Sequence, residues 1–558
     1  MNRIRIKLLS LLAAALLASS VLTGCSNDTS SSSSTSDTAN NIQVEYSSED
    51  IDGTWDDSAA TKVSLSGNSI AVDGSGASAS GGTLTIKSAG TYVLSGTLTD
   101  GQIVVDSGQE DTVKIVLNGA ELKSSNSAPI YSKQSKKTIV TLAKGTNNKI
   151  EDAASYDYAE GADEPDAAVF SQNNLTINGS GSLTVKGNFN NGICSKDDLV
   201  ITGGNIAITS ANDALRGRDS IAINGGTFAI TAGGDGLQSN NDEDVEKGWI
   251  SIDGGVFKIT AESDGIQATT SLVVNSGTID IFKCYEGLEG SNVTVNGGSI
   301  KIKADDDGLN AAGGNDGSSV DGRPSENASS DDSTYFIRIN SGYVTVDAAG
   351  DGIDANGSLY FSGGTVLVNG PTNNGNGALD YDRTCEVTGG TLVIAGSSGM
   401  AQAPGDTSSQ SSLTVYYSTV QKAGTLVTLS DDSGKPLLSF APSKDYQSIV
   451  ISSPELEQGK TYTLSSGGTN SGKLKDGLYT GGTVSGATKL ADIKLSNIVT
   501  RISDDGSEVA ERMGGPGGMG GQGRPEGSHD GNRKPPEGME PPDGMQPPED
   551  MTPPAQEQ

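Results

Sequence analysis

Six acidic residues, Asp213, Asp235, Asp264, Glu286, Asp307 and Asp351, recur at steps of 22, 29, 22, 21 and 44 residues. Each is followed by Gly or Ala and then by Leu or Ile. A second column lies three residues further on: Arg216, Gln238, Gln267, Glu289, Asn310 and Asp354. In the next repeat Gly377 takes the first slot and Asp380 the second. Asp-Gly is a good turn in its own right, so the charge has to be weighed. Carboxylates stacked about 5 Å apart repel by about 0.8 kcal/mol per neighbouring pair in water, and by about 3 kcal/mol at an effective dielectric near 20. Asn or Ser would turn the chain without that cost. A calcium ion reverses the sign, because it takes 6–8 hard oxygen ligands and fits between two rungs. The metal-ligand candidates are therefore Asp213, Asp235, Asp264, Glu286, Glu289, Asp306, Asp307, Asp351, Asp354 and Asp380, with Asp242 and Asp244 from an acidic excursion between two repeats.

Scattered acids become a site only if the chain stacks them. Small-residue pairs mark the register: Gly203-Gly204, Gly225-Gly226, Gly254-Gly255, Ser276-Gly277, Gly297-Gly298, Ser341-Gly342, Gly363-Gly364 and Gly389-Gly390. Between them, short runs alternate apolar and polar residues, as strands do. In the repeat 250–271, three such runs and three turns close one coil. The expected fold is all-β, a parallel β-helix of about 22 residues per coil. Phe228, Phe257, Ile279, Ile300, Val344, Val366 and Leu392 should form one inward column. The 44-residue step equals two periods, yet residues 313–334 carry no strand signature and read as one long loop.

Residues 56–404 are assigned to the solenoid, and 405–510 to a small β unit that caps its open end. Residues 26–55 begin with a run of Ser, Thr, Asp and Asn and are expected to form a flexible linker. Residues 511–558 are rich in Gly, Pro and Met and are expected to be disordered. At the start, Arg3, Arg5 and Lys7 precede an apolar run, and Leu22-Thr23-Gly24-Cys25 looks like a bacterial lipoprotein processing site. Residues 1–25 are then a signal peptide and Cys25 the lipidated residue. That puts the protein outside the cytoplasm, held to the cell membrane by its lipid anchor. Cys194, Cys284 and Cys385 are far apart and read as small inward residues. A net charge of −33 excludes nucleic acid as a partner. The sole histidine, His529, leaves no histidine-based catalysis or metal site. A monomer is expected.

The stretches 233–238, 350–358 and 376–381, with Gly399-Met400-Ala401-Gln402 and residues 450–456, resemble the bacterial extracellular carbohydrate-binding domain proteins. The resemblance covers about residues 60–470. It implies a right-handed parallel β-helix of pectate-lyase-like shape, bound calcium, and binding of cellulose and acidic pectic sugars. Tyr285, Tyr343, Tyr360 and Tyr381 are the candidate sugar contacts. Three functions stay open on the residues alone. One is a calcium-loaded polysaccharide-binding lipoprotein. The second is a calcium-dependent polysaccharide lyase, whose base would have to be Lys or Arg, with no residue marked for the role. The third is a passive surface adhesin.

Overall fold

The computed structural model describes residues 42–158, 161, 163–312 and 335–510. The expectations for the export segment and Cys25, for residues 26–41, for the loop 313–334 and for the tail 511–558 lie outside that range. Among the described residues the regular structure is strand, apart from one short helix, α1 (Ser48–Ile51).

One coil shows how the sequence builds the rest. β1 (Ser220–Ile223), β2 (Thr227–Ala232) and β3 (Leu237–Ser239) follow one another around the coil. Each pairs in parallel with its equivalents in the coils before and after, β2 for example with Asn205–Ser210 and Val256–Ala261. Exposed and buried residues alternate along β2, so Phe228, Ile230 and Ala232 face inward. Phe228, Phe257, Ile279, Ile300, Val344, Val366 and Leu392 pair in unbroken register and are all buried. The Phe228 and Phe257 rings stack 4.5 Å apart and within 5° of parallel. Burying one such side chain contributes about 1.5–3 kcal/mol.

The paired small residues turn each coil from its first strand row into its second. Gly226 has φ +115° and Gly364 φ +77°. A Cβ on Gly364 would also lie 2.6 Å from the Gly342 carbonyl oxygen of the neighbouring coil. Both the left-handed backbone and the close stacking therefore exclude a side chain. Strand Ser299–Ala304 pairs directly with Tyr343–Ala348, so the 44-residue step adds no extra coil between them.

Both ends of the stack are closed by reversing the chain. At the start, Thr61–Gly67 pairs antiparallel with Ser69–Asp73, and Ala77–Ser80 with Thr83–Ile86. At the other end, Thr391–Gly396 pairs antiparallel with Tyr446–Ser452. A further six-stranded sheet completes the C-terminal unit. Phe440 from this sheet, with Ile449 and Ile451 from Tyr446–Ser452, packs on Leu367, Val393 and Ala395, on the outside of the last coils. An antiparallel strand on a terminal coil removes the open edge that would recruit another chain.

The linker expectation needs correction for residues 42–55, which strap along the outside of the first strand row. Ile42, Val44 and Tyr46 pack on Val200, Ala222 and Trp249, and Trp55 on the Val93, Val116 and Ala143 cluster. Ser47 and Asp50 form a capping box on α1. The buried Asp50 carboxylate accepts from Lys137 Nζ at 2.7 Å and Thr176 Oγ1 at 2.6 Å. The packing of Ile42, Val44 and Tyr46 on Ala222 also explains why β1 is buried on both faces. The bonds to Lys137, Ser47 and Thr176 outweigh burial and hold the Asp50 carboxyl below its usual range. Asp50→Ala should cost about 3 kcal/mol locally, because it leaves Lys137 without its buried partner. Limited proteolysis would then cut before residue 56 much faster than in the parent, while the rest of the solenoid keeps its melting temperature within a few degrees.

Candidate functional site

The acid column forms at the corner between the second and third strand rows, just before β3 and its equivalents. One carboxylate oxygen of each aspartate rung accepts the backbone N–H of the next rung. Asp213 Oδ1 takes Asp235 N at 3.0 Å, Asp235 Oδ1 takes Asp264 N at 2.9 Å, and Asp264 Oδ1 takes Glu286 N at 3.1 Å. Asp307 Oδ1 takes Asp351 N at 2.5 Å, and Asp351 Oδ1 takes Gly377 N at 2.6 Å. The column starts one coil earlier than the acids do, where Asn191 Oδ1 accepts from Asp213 N at 3.1 Å. An amide oxygen therefore satisfies this backbone donor as well as a carboxylate does. The hydrogen bond explains an oxygen at this position and leaves the charge to be explained.

The second column stacks alongside. Arg216, Gln238, Gln267, Glu289, Asn310, Asp354 and Asp380 are successive partners in parallel register. The two columns bring acids together in two places. Asp264, Glu286 and Glu289 offer oxygens all within 4.8 Å of one another, as do Asp307, Asp351 and Asp354. The first trio is buried, with residues only 2–3% exposed. The second is half-buried. Amides border the first trio: Asn310 Nδ2 donates to Glu286 Oε2 at 2.9 Å, and Gln238 Nε2 donates to Asp235 Oδ2 at 2.6 Å.

Burial, and then the neighbouring acids, resist ionisation throughout. Asp264 is pushed up to about 8 by burial, Asp235 and Glu286. Glu289 is pushed up to about 10 by burial, Glu286 and Asp264. Burial also raises Asp351 to about 7, and lifts Asp307 and Asp354 well above the usual carboxylate range with help from nearby acids. Asp213 rises to about 7 through burial and Asp235, and its Oδ2 is buried without a hydrogen-bond partner. At this lower end the chain supplies a cation of its own. Arg216 lies 3.9 Å from Asp166 and opposes the rise at Asp213 and at Asp166.

The donor chemistry fits calcium. Every side chain of both trios offers hard oxygen, and calcium accepts irregular sets of such ligands. Zinc would call for Cys or His, and the trios contain neither. Cys194, Cys284 and Cys385 are buried free thiols.

Several candidate residues are placed elsewhere. Asp242 and Asp244 lie on the excursion after β3, away from both trios, and Asp244 Oδ1 caps a local turn by accepting Glu246 N at 3.1 Å. Asp306 bonds the Tyr285 hydroxyl and is outside the trios, although it adjoins Asp307. Asp380 is next in register after Asp354 but accepts from Gln402 Nε2 at 2.5 Å. The four tyrosines share no common face. Tyr343 is covered by the C-terminal unit, with Lys475 Nζ 3.2 Å from its ring centroid. Tyr381 packs on the core and donates to the Ala403 carbonyl at 2.7 Å. Tyr360, on the first strand row, meets Phe336 edge-on. Only Tyr285 stands beside the acid edge. The sequence reading missed the rung-to-rung hydrogen bonds, which Asn191 one period below Asp213 could have signalled.

Residues 80–333 match the family model described as carbohydrate-binding domain-containing protein. That segment of the chain belongs to this family. A protein of the same description from Acetivibrio thermocellus is 46% identical over 115 residues, 20% of this chain and 40% of that relative. The chain thus spans well under half the length of the curated relative that it matches. A solved structure described as the polysaccharide lyase-like protein from C. thermocellum, in a gadolinium derivative, is 37% identical over 45% of this chain and 96% of its own, with a TM-score of 0.39.

A carboxylate whose folded pKa is raised contributes stability that is present below its unfolded value and lost as pH rises through the folded one. For Asp213, Asp351 and Asp264 the loss therefore spans pH 4 to about 8. With chelator present, thermal melts should fall across this window, by at most about 1.4 kcal/mol per pH unit for each group. The double variant Asp264→Asn, Glu289→Gln should show a shallower fall. Excess calcium should flatten the parent curve, since the ion then stabilises the ionised acids.

Proposed function

We propose that this member of the family is a polysaccharide-binding lipoprotein whose β-helix is loaded with calcium at two acid clusters. The observation that carries the reading is the pair of carboxylate trios stacked by coil register. Asp264, Glu286 and Glu289 would hold one ion, and Asp307, Asp351 and Asp354 another. Bound there, calcium would offset the negative charge of both clusters, and at the half-buried second trio it would offer a bridge to uronate carboxylates. The chain's own part is to hold the oxygens at fixed spacing. The Oδ1 bonds to the next coil orient each aspartate, and neighbouring Gln and Asn amides satisfy oxygens that face away from the ion.

An acidic pectic polymer is the ligand that this charge arrangement favours most directly. A linear chain laid along the stack would meet one coil every 4.8 Å or so, and the repeated edge offers it a repeated set of contacts. The family description supports carbohydrate as the partner class. The processing-site pattern at Cys25 extends the reading to an anchor outside the cytoplasm. No residue is assigned a catalytic role.

Immobilised polygalacturonate tests the reading. The parent should be retained in calcium and released by chelator. Glu289→Gln and Asp354→Asn should each weaken retention about 10-fold or more while leaving the protein folded. Retention that is indifferent to chelator would overturn the calcium bridge. Growth of ultraviolet absorbance from unsaturated uronate products would replace binding by lyase chemistry. Cys25→Ala should separately move the protein from the membrane fraction to the medium, with loss of incorporated fatty acid.

A further inference from the structure

The two acid trios differ in how the neighbouring coils close over them. Asp264, Glu286 and Glu289 are 3%, 2% and 3% exposed. Side chains lie both below and above them. In the second column Gln267 precedes Glu289 and Asn310 follows it, in parallel register. Gln267 Oε1 accepts from Gln238 Nε2 at 3.1 Å. Asn310 is fully buried, and its Nδ2 donates to Glu286 Oε2 at 2.9 Å. Amides of the chain itself thus enclose this trio, and an amide oxygen is a hard donor of the kind calcium takes.

Asp307, Asp351 and Asp354 are only half-buried. The coil above them gives the reason. In the first column the next rung is Gly377, whose N–H donates to Asp351 Oδ1 at 2.6 Å but which has no side chain to lay over the trio. In the second column the next residue is Asp380. Its Oδ1 already accepts from Gln402 Nε2 at 2.5 Å and from Tyr381 N at 2.9 Å. Three carboxylates fill at most six places of a shell that takes 6–8. A ligand from outside has a way in at this trio, whereas the first trio is shut.

We propose that the two trios have separate duties. Asp264, Glu286 and Glu289 enclose a calcium ion that carries no water and is part of the fold. Asp307, Asp351 and Asp354 hold an exchanging ion that keeps open places, and outside ligands reach calcium only there. Asn310, in register between Glu289 and Asp354, is the neutral partition between the two. Release from the first trio requires the coils to part locally, and release from the second does not. The inference rests on the calcium reading above and goes beyond it in separating a permanent ion from an exchanging one.

Terbium in place of calcium tests this on the full-length protein, because its luminescence lifetimes in H₂O and D₂O count bound water. Two lifetimes should appear, a dry one and a hydrated one, the second with about two more waters. Chelator should strip the hydrated ion at least about 100-fold faster than the dry one. Asp354→Asn should remove the hydrated, fast component and spare the dry one. Glu289→Gln should remove the dry component and, in excess calcium, lower the melting temperature more than Asp354→Asn does. Asp264→Asn reports on the same trio if Glu289→Gln fails to fold, and the lifetimes of the parent stand without either. A short oligogalacturonate should displace water from the hydrated ion alone. Equal hydration at both trios, a single rate of release, loss of the dry component in Asp354→Asn, or an oligogalacturonate that changes the dry lifetime overturns the proposal and leaves calcium binding intact. If the parent binds neither terbium nor calcium, the calcium reading itself falls.

Discussion

Backbone hydrogen bonds between parallel coils hold each side chain about 4.8 Å from its counterpart above and below, and every other property of the molecule depends on that spacing. It is close to the contact distance of two aromatic rings, and Phe228 and Phe257 stack at 4.5 Å. It also lets an amide bond its neighbour, as Asn275, Asn296 and Asn340 do along one corner. For carboxylates it is an awkward distance. An ionised carboxylate only accepts, so a column of them cannot satisfy itself as an amide column can. Here the backbone N–H of the following coil fills one oxygen of each aspartate in the column. The charge is left over, and burial makes that charge costly. The same ladder geometry thus stabilises two kinds of column and strains the third.

The acid edge is also bounded. Below Asn191 the chain leaves the coil path between Asn147–Glu151 and Ala167–Ser171. Tyr156 from that excursion stacks on Phe189 at 4.3 Å and hydrogen-bonds the buried Asp152. Asp166, at the end of the same excursion, reaches Asn191 and Arg216. One end of the column is therefore sealed by aromatic packing and a built-in guanidinium. The two trios lie further along, beyond the reach of that arginine. The distribution of charge on this edge follows from where the chain supplies a cation itself and where it does not.

Much of this was legible in the sequence because a solenoid converts period into contact. Matching Gln238 to Gln267, or Phe257 to Ile279, needed only the glycine pairs, and the pairing follows residue by residue. What period cannot reveal is what covers the outside of a coil. Tyr343 and Tyr360 both looked like outward aromatics, yet the C-terminal unit lies over the first and not over the second. The strap was hidden by composition. Ser47, Ser48 and Glu49 continue a polar run, and only the Ser47-to-Asp50 spacing marks a helix start. Asp242 and Asp244 misled for a related reason. They are close in sequence to the ladder residue Asp235, but they follow β3 and so fall on another corner of the coil.

Corner identity, more than sequence distance, decides what an acid can do here. Beyond β3 and its equivalents the chain often runs straight on into the next coil, as in the continuous strands Ile266–Val274 and Leu288–Val295. A nearly flat passage tolerates insertion, and the excursion 240–248 falls there. The remaining two corners are held to strict register, one by the glycine pairs and the amide ladder, the other by the acids and the Gly or Ala that follows them. At Gly308, a Cβ would lie 2.2 Å from Val346 Cγ1, so the acid corner has no room to relax away from its neighbours. Rigid register at these two corners keeps carboxylates stacked on one and amides on the other, and that separation lets one solenoid present two chemically different edges along its length.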